Sequence, residues 1–164
     1  MGNHQEVSDI SHQRANWKFE AWGWVAMGLI VVAALLGLLG PGPLSKATAG
    51  EKRSNLWVEY NRFVRYEAPV ELRIYVGARG LGTALPALSV NQAYLDKVTV
   101  EHIEPRPEQV KAAGEEFIYI FSFAATNAPN TITFKLRGNG YGKVPVHLKF
   151  SDAGDVRFTQ FFYP

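Results

Sequence analysis

Residues 21–39 read AWGWVAMGLIVVAALLGLL, nineteen positions with no charged side chain, closed by Lys18 and Glu20 on one side and by Gly40-Pro41-Gly42-Pro43 on the other. At about 1.5 Å of rise per residue, a helix of this length covers close to the roughly 30 Å hydrocarbon core of a bilayer. The small domain left over has no room to cover an apolar cylinder on every side, so the run predicts a transmembrane helix over residues 17–40. Trp17, Trp22 and Trp24 crowd its N-terminal end, where amphipathic indole rings favour the headgroup level, and the two prolines stop it at the other end. Ala33 and Gly37 form a small-xxx-small pair through which a second helix could approach, although such residues are common in spanning helices without that role.

A cleaved signal peptide is the sharper rival, because Ala47-Thr48-Ala49 has the small-x-small pattern of a cleavage site just before Gly50. Against it, the apolar run exceeds the usual length of about 7–15 residues, the preceding segment is long and partly acidic, and Lys46 adjoins the site. Arg14 and Lys18 precede the helix while Lys46, Lys52 and Arg53 follow it, so the charges that orient a span nearly tie. Long domains translocate largely regardless of their own charge, and the preferred orientation puts the N-terminus inside and the larger part outside the inner (cytoplasmic) membrane.

Residues 1–16 are polar, without an apolar period, and read as a disordered cytoplasmic tail. Met1-Gly2 opens like a myristoylation signal, but Glu6 stands where Ser or Thr is needed. Residues 41–54, rich in Gly, Pro, Ala, Ser and Lys, read as a linker, and residues 55–164 as one folded domain near the commonest size for a single core. The chain has no cysteine, which excludes disulfides, thiolate metal sites and a cysteine nucleophile. The formal charge of +2 is small and not clustered into basic blocks, so nucleic acid is not an expected partner.

From residue 55 the apolar period becomes two. Leu56, Val58, Tyr60, Val64 and Tyr66 share one parity against Glu59, Asn61 and Arg65, and Arg62 interrupts the inner face, which predicts a bulge or an edge there. Val70, Leu72, Ile74 and Val76 alternate with Glu71 and Arg73, so these first two strands read as a hairpin. Further strands are expected at 97–103, 116–124, 131–137, 143–150 and 156–163, and the apolar part of the long connection 77–96 is expected either to pack down as a loop or to form a short helix around 91–96. Seven short strands without crossover helices predict an all-β domain, a seven-stranded antiparallel immunoglobulin-like β-sandwich, preceded by one transmembrane α-helix.

Chemistry-bearing patterns are weak. Gly77, Gly80 and Gly82, and Gly138, Gly140 and Gly142, are glycine clusters, but neither opens a helix as phosphate-binding loops do, so they read as turns. His102 and His147 lie on separate strands and need not meet, and His4 and His12 are in the tail, so no metal site is expected. No nucleophile-elbow, zincin or Ser-x-x-Lys motif occurs. The chain is therefore expected to be no enzyme, with no catalytic residue and no cofactor.

The unusual feature is aromatic. In Phe117-Ile118-Tyr119-Ile120-Phe121 both parities are apolar, and Phe158, Phe161, Phe162 and Tyr163 repeat this in the last strand. A sandwich strand needs one apolar face, so the second is covered either by the segment 81–95 or by a partner, and Ile118, Ile120, Phe161 and Tyr163 are the candidate partner contacts.

The run WKFEAWGWVAMGLIVVAALLGLLGPGPLSKA followed by LWVEYNRFVRYEAPVELRIYV resembles small uncharacterised bacterial single-pass membrane proteins that pair one helix with an extracytoplasmic β domain. That resemblance covers about the first half of the chain and implies an envelope location without an active site. The expected function is a membrane-anchored, non-enzymatic accessory protein whose domain docks onto another envelope or membrane protein. One alternative is an extracytoplasmic small-ligand-binding module with its pocket rim in 77–96 and 104–115. The other is a homo-oligomer built through the helix and an exposed last strand.

Overall fold

The computed structural model describes residues 6–35, 45–51, 55–77, 86–123, 130–151 and 153–164, and side chains from Glu20 onward within them. Its first element, α1 (Glu6–Leu35), contains residues 21–35 of the uncharged stretch and also most of the segment expected to be a disordered tail. Nucleation is the costly step in forming a helix. Once the apolar segment is helical, each polar residue before it adds one backbone bond at little further cost.

Among the described residues no helix is long and apolar enough to cross a membrane. The uncharged part described, 21–35, rises about 22 Å, short of the roughly 30 Å needed, and residues 36–40 of the expected span lie outside the described residues. Within 21–35 apolar side chains stand on all sides, and the large ones from Trp22 to Leu35 are 51–77% exposed.

The rest is β. Among the described residues eleven strands form two sheets: β1 (Lys46–Ala49), β2 (Leu56–Asn61), β4 (Pro69–Val76), β9 (Asn130–Gly138) and β6 (Val98–Glu104) make one, in the order β1-β2-β4-β9-β6. The other is β3-β11-β10-β5-β8-β7, from β3 (Phe63–Arg65), β11 (Gly154–Tyr163), β10 (Gly142–Phe150), β5 (Ala87–Asn91), β8 (Glu116–Ile120) and β7 (Gln109–Ala113). All pairs are antiparallel except β3–β11. The all-β, two-layer expectation holds, whereas seven strands becomes eleven. Lys46–Ala49, expected in the linker, is a strand paired with β2, so the folded domain starts earlier than residue 55.

Alternation sets which face each strand buries. In β4 Val70, Leu72, Ile74 and Val76 are buried while Glu71 and Arg73 are exposed, and in β10 Val144, Val146, Leu148 and Phe150 face back from the other sheet. Together with Ile132, Phe134 and Leu136 of β9 they form one core, each fully buried aliphatic side chain contributing about 1.5–3 kcal/mol. The expected short helix is α2 (Gln92–Leu95), which packs Tyr94 into the core beside β5, β6 and β10.

Arg62 is where the first expected strand divides. Its N–H donates to Ser45 O at 2.6 Å and its carbonyl accepts from Phe161 N–H at 2.7 Å, so β2 remains in one sheet while β3 joins the other. The chain then turns at Glu67, whose φ of 56° ends the alternation, and Tyr66 is exposed instead of lying on the inner face.

Candidate functional site

The aromatic run is largely consumed by the core. Tyr119 and Phe121 are buried, Tyr119 meeting Phe134 edge-on at 5.4 Å, and Phe123 stacks on Phe121 at 5.8 Å. The opposite parity, Ile118 and Ile120, points to the outer face and is half-buried, beside Ser89 and Ala87 of β5 and Lys111 and Gln109 of β7. Residues 87–91, expected to fold over this face as a loop, lie next to β8 as a strand and send Leu88 and Val90 into the core. Residues 81–85 lie outside the described residues.

In β11, Phe158 stacks on Tyr60 at 4.0 Å and Phe162 is buried, which accounts for one parity. The other leaves Phe161 41% exposed and Tyr163 half-buried. In β11, the last strand invoked for self-pairing, β3 covers only Phe161–Tyr163, and among the described residues 154–160 pair with β10 alone.

The four candidate contacts do not converge. Phe161 pairs with Lys143 at the start of β10, whereas Ile118 is linked through Ser89 and Lys149 to Asp155 at the start of β11. Six residues along a strand and three strands across separate Phe161 from Ile118 by about 24 Å. Two surfaces result.

The first lies around β7 and β8. All five residues of β7 are exposed, Val110 at 49%. Phe121 N–H donates to Pro86 O, so by alternation Glu116, Ile118 and Ile120 turn their backbone groups toward β7, leaving those of Val110 and Ala112 facing outward at the sheet edge.

The second surrounds the start of β3. Phe63, Phe161 and Lys143 form one cross-strand row and Arg65 and Tyr163 the next, all on the outer face. Beside them Tyr66 and Tyr141 stack at 4.9 Å, 36% and 59% exposed. Sequence reasoning missed Tyr66, Tyr141 and Phe63; only the break at Arg62 pointed to them.

A polar cleft of about 470 Å³ lies over β1, β2 and β4, where Lys46 and Arg62 stand near Glu59, Glu71 and Arg73. Arg73 donates to Glu71 at 2.9 Å, and that hydrogen bond raises the Arg73 pKa. Tyr75 donates to Glu59 at 3.1 Å, and its pKa is raised first by burial and then by this bond. The expected rim in 77–96 and 104–115 is instead largely strand and helix: β5, α2 and β7.

Asn91 completes the β5–β10 junction, its Oδ1 accepting from His147 N–H at 2.8 Å and its Nδ2 donating to Pro145 O at 3.1 Å. His102 and His147 fall in different sheets. Among the described residues no group of three His, Cys, Asp or Glu is placed to hold a metal ion. Gly138, expected in a turn, is instead the last residue of β9, paired with Val98 and packed so tightly that a Cβ would stand 2.9 Å from Val64 and 3.1 Å from Phe162.

Trp22 and Trp24 are exposed on α1, Trp17 is helical, and Ala33 is half-buried. Gly37 lies outside the described residues. No protein-family model matches the chain, and no curated protein is similar to it.

Proposed function

We propose that the chain is a membrane-anchored, non-enzymatic accessory protein, with its N-terminus inside the inner membrane and its β domain outside, that docks onto another envelope or membrane protein. The single observation that carries this reading is the exposure of α1: a helix whose apolar side chains face outward all round finds its favourable surroundings in lipid. The uncharged sequence runs four residues past Leu35, which supports a full span of 17–40. The domain acts as an immunoglobulin-like two-layer scaffold, and a module held beside the bilayer meets membrane neighbours at high effective concentration.

The docking surface is the outer side of β8 and the open edge of β7. Half-buried Ile118 and Ile120 supply apolar contact, and the outward backbone groups of Val110 and Ala112 accept an added strand. A photo-crosslinker at Val110 in the full-length chain, activated in native membranes, yields one reproducible non-self adduct. Recovery of self-adducts alone, or of nothing reproducible, overturns it. The cleft at Lys46, Arg62 and Arg73 favours a second reading, the binding of a small charged ligand, for which calorimetry of the purified chain with short dicarboxylates is the test.

A further inference from the structure

We infer that the aromatic and basic face around β3 and the end of β11 rests on the headgroup layer of the bilayer that holds α1; this inference depends on the membrane anchoring proposed above. The first ground is where the chain joins the domain. Ser45 is fully buried, its hydroxyl donating to Phe63 O at 3.3 Å and its carbonyl accepting from Arg62 N–H, so the chain arriving from the helix is fastened beside β3. Six Cα–Cα steps separate Leu39, the last of the uncharged run, from Ser45. Fully stretched they reach about 20 Å, less than the width of a small domain, so this side of the sandwich is held against the membrane surface whatever the linker's path.

The second ground is the composition of that face. Phe161, Tyr66 and Tyr141 expose aromatic rings, and amphipathic rings partition to the headgroup level. Arg62, Arg65 and Lys143 are exposed around them and take part in no ion pair among the described residues, which suits a layer of anionic headgroups. A partner protein could use the same residues, but only lipid is guaranteed within reach of the fastened chain. A second copy fits less well at this face, because the end of β11 is already paired with β3, and β3 offers an edge only three residues long.

The chain has no cysteine, so single labels can be placed cleanly. The full-length chain carrying a fluorophore on Thr159→Cys, beside the face, or on Lys135→Cys, on the outer face of the other sheet, is reconstituted into phosphatidylcholine vesicles doped with phosphatidylglycerol. Headgroup-nitroxide lipid is expected to quench the label at 159 strongly and that at 135 weakly. Adding Lys143→Ala lowers the contact population by about fivefold, and omitting phosphatidylglycerol lowers it further. A third label, on Gly28→Cys, reports the anchor through acyl-chain nitroxides. Equal quenching at 159 and 135 with the label at 28 quenched overturns the resting face alone. An unquenched label at 28 overturns the anchoring and this inference with it.

Discussion

Tyr94 gives the sharpest test of the packing. Its ring is 1% exposed, held by α2 against β5, β6 and β10, and its hydroxyl is buried with no hydrogen-bond partner among the described residues. An orphaned buried polar group costs about 1–3 kcal/mol, while phenylalanine keeps the same ring and the same apolar contacts. Tyr94→Phe is therefore expected to stabilise the domain by about 1–2 kcal/mol, near 4–8 °C in Tm. The pH dependence follows from the same burial, which pushes the Tyr94 hydroxyl well above the ordinary tyrosine range. The unfolded chain releases this proton near pH 10 and the folded chain does not, so below about 10 the contribution is flat. Above it the unfolded state binds fewer protons and stability falls by up to about 1.4 kcal/mol per pH unit. Urea unfolding of the full-length chain in detergent, followed by near-ultraviolet circular dichroism from pH 7 to pH 11, reads both effects. Tyr94→Phe should raise the midpoint at pH 7 and flatten the alkaline decline. A loss of stability at pH 7 would mean that the hydroxyl is bonded, for instance through a buried water, and an unchanged alkaline decline would mean that burial does not hold it neutral; either would refute the reasoning.

Ile74→Ala, at a fully buried position in the central strand β4, should cost about 2–5 kcal/mol in the same urea assay. Gly50→Ala should cost more than Gly114→Ala: both have positive φ, +82° and +63°, but a Cβ at Gly50 would stand 2.7 Å from Leu56 O, whereas at Gly114 it meets open space and only the left-handed penalty of about 1–2 kcal/mol applies. Val31→Arg, near the middle of the uncharged run, should add about 2.5–3.5 kcal/mol to the cost of insertion and shift the chain out of the membrane fraction on fractionation.

Strands that bury one face were legible in the sequence. β4, β6, β9, β10 and β11 fall where alternation predicts them, because Val70, Leu72, Ile74 and Val76 or Val144, Val146 and Leu148 have one physical solution on a pleated surface. β7 was hidden because all five of its residues are exposed, so no alternation marks it. β1 is four residues of small and polar type within a linker-like composition. β5 does alternate, with Leu88 and Val90 inward, but it follows a glycine-rich stretch that reads as loop. At Arg62 the parity break was visible, yet a bulge, an edge and a change of sheet look alike in one dimension. The aromatic excess in β8 was equally visible, but which residues end half-buried depends on the neighbours supplied by β5 and β7. The patch of Phe63, Tyr66 and Tyr141 exists only after β3 crosses to the second sheet, because it is assembled from residues far apart in the chain.

The claim on which the functional reading stands is that α1 is seated in lipid, and extraction measures that directly. Membranes from cells making the untagged full-length chain are washed with concentrated salt and then with alkaline carbonate before detergent is added. The chain is expected to stay with the lipid through both washes and to leave it only in detergent. Release of the intact chain as a soluble monomer by either wash would contradict the anchoring.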